Sequence, residues 1–62
     1  MKHIYGKFQG QRTFKAMDLT RGCRTTNLIF ASLLTEVEAK RFMKSEAPRN
    51  PEWQFEVREA GS

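Results

Sequence analysis

Along residues 3–8 apolar and polar positions alternate, Ile4, Gly6 and Phe8 against His3, Tyr5 and Lys7. This period of two predicts a half-buried strand closed by Gly10. A second alternation sets Phe14 and Ala16 against Thr13, Lys15 and Met17, so a strand is expected over 12–17, with Gln9-Gly10-Gln11-Arg12 joining the two as a hairpin. Asp18-Leu19-Thr20-Arg21-Gly22 reads as a turn, because Asp bonds its own backbone two residues on and Gly22 takes positive φ without penalty. The run that follows predicts a third strand over 25–33, with Thr26, Leu28, Phe30 and Ser32 on one face and Asn27, Ile29, Ala31 and Leu33 on the other.

Thr35 followed three residues later by Glu38 is a capping box, and it predicts a helix over 36–46. Glu36 and Glu38 at its start, and Lys40, Arg41 and Lys44 further on, match the helix dipole. Val37, Ala39, Phe42, Met43 and Ala47 are read as its buried stripe, and Pro48 ends it near Glu46. Trp53, Phe55 and Val57 against Gln54, Glu56 and Arg58 give the cleanest alternation of the chain, a fourth strand over 53–58.

The expected architecture is therefore α+β: a two-layer β-β-β-α-β domain over 1–62, with its single helix on one face of a small mixed four-stranded sheet. Its inward rows are Ile4/Phe8, Phe14/Ala16 and Trp53/Phe55/Val57. A meander and a right-handed crossover give the spatial order 3-2-1-4, with the fourth strand parallel to the first. The third strand then lies at an edge while apolar on both faces. Such an edge aggregates unless it is central after all, or is met by a partner or a second copy in a homodimer.

Composition narrows the class. The 62 residues hold 39% hydrophobic side chains, enough for a core and too many for a disordered chain, and one cysteine, Cys23, which excludes an internal disulfide. The longest apolar stretch, residues 28–34, is far short of a membrane span, and no hydrophobic run follows Lys2. The reading is a cytoplasmic protein without membrane contact. Gly61-Ser62 are taken as a frayed end.

No catalytic constellation is visible. His3, two residues from the start, is expected at the surface or flanking a strand, and Cys23 as a buried or incidental thiol beside Arg21 and Arg24. One Cys and one His cannot complete a zinc site within one chain. Glu36 pairs with Lys40, Glu38 belongs to the cap, and Glu56 occupies a solvated strand position, while Gly6, Gly10 and Gly22 lack phosphate-loop spacing. The chain is accordingly read as noncatalytic, with no cofactor and no metal.

Two functional readings follow. The helix can cover only one sheet face, and the two rows of the third strand cannot both lie beneath it. One row is thus expected in the core. The other, with Tyr5 and Met17, faces outward. This reading is a protein-interaction module, an inhibitor or adaptor, that docks its sheet edge or open face on a partner protein through Tyr5, Met17, Ile29, Phe30 and Leu33. In length and layout the chain resembles the small single-domain proteins that phages and mobile elements make to block host enzymes or defence systems. The resemblance is architectural and implies an inhibitory role. The alternative rests on charge. The formal net charge is +4, and residues 1–30 carry six cations against Asp18 alone, whereas 31–62 carry five against six glutamates. Lys7, Arg12, Lys15, Arg21 and Arg24 are then phosphate contacts of a nucleic-acid-binding meander, with Tyr5 as a stacking platform.

Overall fold

The computed structural model describes residues 1–61; Ser62, half of the expected frayed end, lies outside them. Four strands, β1 (Lys2–Phe8), β2 (Lys15–Asp18), β3 (Cys23–Thr25) and β4 (Trp53–Glu59), form one sheet in the order β3-β2-β1-β4, with helix α1 (Glu36–Arg41) between β3 and β4. The element order, the spatial order and the α+β layering are those the sequence predicts. The strand directions are not. Every neighbouring pair is antiparallel, so the sheet is not mixed.

The reason lies in the third strand. β3 stops at Thr25 because the polar side chains that follow satisfy the backbone locally. Thr25 Oγ1 accepts the Asn27 N–H (3.1 Å) and Asn27 Oδ1 accepts the Ile29 N–H (3.0 Å), an arrangement that competes with ladder pairing. Turns at Asn27–Phe30 and Leu28–Ala31 then double the chain back, and Leu34 pairs antiparallel with Lys2. The helix starts at the Lys2 end of β1 and travels the length of the sheet. β4 enters beside Phe8, Trp53 opposite it, and must run back against β1.

The capping box forms as expected. Thr35 Oγ1 accepts the Glu38 N–H and Glu38 Oε1 accepts the Thr35 N–H. The helical run continues through a π turn (Phe42–Glu46) and a 3-10 turn (Ala47–Arg49) containing Pro48, beyond the expected end at Glu46. Its buried stripe is narrower than the sequence suggests. Ala39 is buried, Phe42, Met43 and Ala47 are half-buried, and Val37 stands 65% exposed. At about 100° per residue, Val37 lies roughly 200° around the axis from Ala39, on the far side of the helix.

Ile4 and Met17 from the sheet and Ala39 from the helix make the core, ringed by Leu19, Leu34, Phe42, Trp53 and Phe55. Phe8, Trp53, Phe55 and Phe42 continue it as a chain of aromatic contacts with centroids 5.1–5.7 Å apart. The register pairs Tyr5 with Ala16 and Gly6 with Lys15. That sets Met17 on the helix side, and Phe14 and Ala16 on the open face. The expected assignment of β2 is thus inverted: Phe14/Ala16 is not an inward row, and Met17, expected outward, is 5% exposed in the core. A slip of one residue exchanges the two faces of a strand, and β2 begins at Lys15 rather than residue 12, so the hairpin loop no longer fixes its phase.

Candidate interaction surface

The segment between β3 and α1 is pinned from within. Where β2 diverges from β1, Ser32 and Leu34 fill the fork. Ser32 N–H donates to the Met17 carbonyl (3.0 Å), Ser32 Oγ accepts the Leu19 N–H (2.8 Å), and the Ser32 carbonyl accepts His3 Nδ1–H (3.0 Å). Leu34 exchanges two backbone bonds with Lys2, at 2.6 and 2.8 Å. These bonds explain His3, expected at the surface or flanking a strand and found within β1 at 6% exposure: the ring is the donor that satisfies the plug. Ala31, next to Ser32 in the chain, is also buried.

With Ala31, Ser32 and Leu34 turned inward, the segment turns its other large apolar side chains outward. Leu28 is 54% exposed, Ile29 85%, Phe30 49% and Leu33 56%. Neither expected row of a third strand is core. Val37 adjoins them in sequence, so residues 28–37 carry five exposed large apolar side chains. The Arg21 guanidinium lies 5.2 Å from the centre of the Phe30 ring while its Nε reaches 3.6 Å from Asp18, placing a cation at the border of this surface. Of the residues expected to bind a partner, Ile29, Phe30 and Leu33 thus lie in one exposed segment. Tyr5 is half-buried on the open sheet face, and Met17 is excluded by burial. Leu28 and Val37 belong with the exposed set. The sequence signal for Val37 was its misfit with the Ala39–Phe42–Met43 helical spacing.

The open sheet face carries a second cluster. The Arg58 guanidinium stacks over Tyr5 at 4.2 Å and lies 5.9 Å from Phe14, Lys7 lies 5.2 Å from the Phe14 ring, and Glu56 pairs with Arg58. The five cations expected to track phosphates are dispersed. Lys7 is on this face, whereas Lys15 and Arg24 register with Gly6 and Met17 on the other. Arg12 is exposed in the β1–β2 connection and Arg21 lies in the β2–β3 turn. Arg24 is already engaged, donating to the Thr13 carbonyl at 2.7 Å. The Tyr5 ring that was to stack a base is covered by Arg58.

Cys23 is exposed in β3, which excludes the buried one of its two expected placements, buried or incidental. Among the described residues no three His, Cys, Asp or Glu side chains are grouped as metal ligands, and no helix is long and apolar enough to cross a membrane. No family model, no curated protein and no solved structure matches this chain.

Proposed function

We propose that the protein is a noncatalytic interaction module, an inhibitor or adaptor, that docks on a partner protein through the Leu28–Leu33 segment. The observation that carries this reading is the combination of a thin core with a pinned, outward apolar segment. Ile4 and Met17 are the only large apolar side chains buried among the described residues, yet Leu28, Ile29, Phe30 and Leu33 are about half or more in solvent. A chain this small gains little stability from its core and would gain more by burying those side chains itself. Leaving them out on a hydrogen-bonded mount fits a surface reserved for a partner. Arg21 beside Phe30 and the formal charge of +4 favour a partner whose apolar cleft has an acidic rim.

Capture with the immobilised chain tests it. The parent retains a partner protein that Ile29→Asp and Leu33→Asp variants release, while all three keep the same circular dichroism spectrum. Equal retention by parent and variants, or retention by none, refutes the reading.

A second reading, nucleic-acid binding, is favoured by one feature, the interleaving of Lys7 and Arg58 with Phe14 and Tyr5 on the open face. It requires affinity for a single-stranded oligonucleotide that falls steeply with salt and is lost in a Lys7→Glu variant.

A further inference from the structure

The edge of the sheet opposite β3 is β4, seven residues long and bonded on one side only. The register and flanking bonds show which groups are left over. Lys2 exchanges its bonds with Leu34, away from β4, while Gln9 N–H reaches the Glu52 carbonyl and Ala60 N–H reaches the Met1 carbonyl. By the alternation of an antiparallel ladder, Gln54, Glu56 and Arg58 face β1, and Phe55, Val57 and Glu59 aim their N–H and C=O groups outward. Trp53 N–H is already taken by the Asn50 carbonyl, so the free edge begins at Phe55. Val57, at its centre, is 37% exposed. No proline interrupts the edge, and the charges it carries are of both signs.

Those charges are self-complementary in one register. Antiparallel pairing of two copies must set outward residues opposite outward residues. Centring the pairing on Glu56 places Glu56 against the partner's Glu56, and centring it on Arg58 places like cations together. Centring it on Phe55 requires the occupied Trp53 group. Centring it on Val57 places Glu56 opposite the partner's Arg58 and Arg58 opposite the partner's Glu56, both in the closely spaced, non-hydrogen-bonded positions where side chains approach most. The hydrogen-bonded positions are then Val57 with the partner's Val57, and Phe55 with the partner's Glu59 in both directions. The geometry points to a homodimer formed by antiparallel pairing of β4 with β4 of a second copy, in the Val57-centred register, giving one continuous eight-stranded sheet. The two-fold axis crosses the sheet, so both helices lie on the same face. The Leu28–Leu33 segment is not part of this edge and remains free on each copy, so the dimer does not depend on the docking reading.

Sedimentation equilibrium of the full chain, at concentrations up to about 1 mM, the weak end of measurable association, tests this. The parent is expected at twice the 7.2 kDa chain mass. Val57→Pro removes an outward N–H that the β1–β4 ladder does not use, a position where an edge strand accepts proline. It is expected to be monomeric with an unchanged spectrum. Independently of whether that variant folds, Glu56→Arg and Arg58→Glu each break the Glu56–Arg58 pair within the chain and turn two attractive cross-strand pairs repulsive, and are expected to weaken the dimer by about tenfold. The double reversal restores it. A monomeric parent, a folded dimeric Val57→Pro variant, or charge reversals that do not rescue one another overturns the proposal.

Discussion

Gly6 occupies the middle of the central strand β1, on the helix side, where Met17 and Phe55 close over it. A Cβ placed there lies 2.7 Å from Met17 Sδ, 3.2 Å from Met17 Cγ and 3.2 Å from Phe55 Cδ1. Two opposed effects follow from Gly6→Ala. Reduced backbone entropy in the unfolded chain favours alanine in a strand by about 0.5–1 kcal/mol. Overpacking against a Met17 that is 5% exposed and held on both sides costs about 1–3 kcal/mol. The clash wins, with a net loss of about 1 kcal/mol from a total of roughly 3–9 kcal/mol for a chain of this length. Urea unfolding followed by Trp53 fluorescence reads it as a midpoint lowered by about 1 M, given a slope near 1 kcal/mol/M for so small a protein. The decisive measurement is the same substitution in a Met17→Ala background, with sulfate present to keep both proteins folded. There the two Met17 atoms are gone and only Phe55 Cδ1 remains within 3.4 Å of the new Cβ, so Gly6→Ala costs clearly less than in the parent. An equal loss in both backgrounds, or a stabilised single variant, refutes the contact.

Met17→Asp buries a charge in the core and abolishes folding, whereas Ile29→Asp, at a side chain 85% exposed, shifts stability by less than about 0.5 kcal/mol; comparable melting temperatures for the two would contradict the β2 register. Thr35→Ala, which removes the cap of α1, lowers stability by about 1 kcal/mol in thermal melts. The hydrogen bonds from Thr35 hold the Glu38 carboxyl below its ordinary value of 4.5, so its contribution is present above that pH and fades as pH falls through the depressed value. The acid limb of a pH–stability profile is therefore shallower in Glu38→Gln than in the parent. Ser32→Ala leaves the part-buried Leu19 N–H without its acceptor and costs about 1–3 kcal/mol, with faster amide exchange at Leu19 and in residues 28–34 as the readout.

What could be read from the chain was what depends on short-range pattern. The β1 and β4 alternations, the Thr35–Glu38 box and the turn at Asp18–Gly22 are local, and each appears within a residue or two of its expected place. The sheet order followed from connection rules alone. The misreadings share a cause in competition between local and distant bonds. Residues 26–33 have the composition of a strand. Asn27 and Thr25 nevertheless stop the ladder, and Ser32 finds partners on Met17, Leu19 and His3, far away in sequence. Apolar composition cannot distinguish a strand buried on both faces from a turn whose side chains are all outside, because the difference lies in where the backbone hydrogen bonds go. The face assignment of β2 failed for a related reason, since only four residues pair and their phase is set by β1 rather than by their own pattern. Of the candidate site, Ile29, Phe30 and Leu33 were therefore legible as surplus apolar surface, while Met17 was not legible as core.

The same bonds give the exposed segment its character. An apolar loop without internal anchors would collapse onto the nearest groove or fluctuate, and either outcome would spend its surface. Here every small side chain between Phe30 and Leu34 is engaged: Ala31 is buried and Ser32 makes three hydrogen bonds, one through each of its polar groups. The chain cannot rotate Leu33 inward without breaking the Leu34–Lys2 pair beside it, nor Ile29 without releasing the Asn27 side chain. Breaking a part-buried bond such as those of Ser32 costs about 1–3 kcal/mol, similar to the roughly 1.5–3 kcal/mol gained by burying Leu33, whereas the exposed Asn27–Ile29 bond is replaced by water at lower cost. Several bonds would have to break together to hide one residue. Exposure of Leu28, Ile29, Phe30 and Leu33 is thus a consequence of how the fork between β1 and β2 is filled, and under the proposed docking function the same filling lowers the entropic cost of ordering them against a partner.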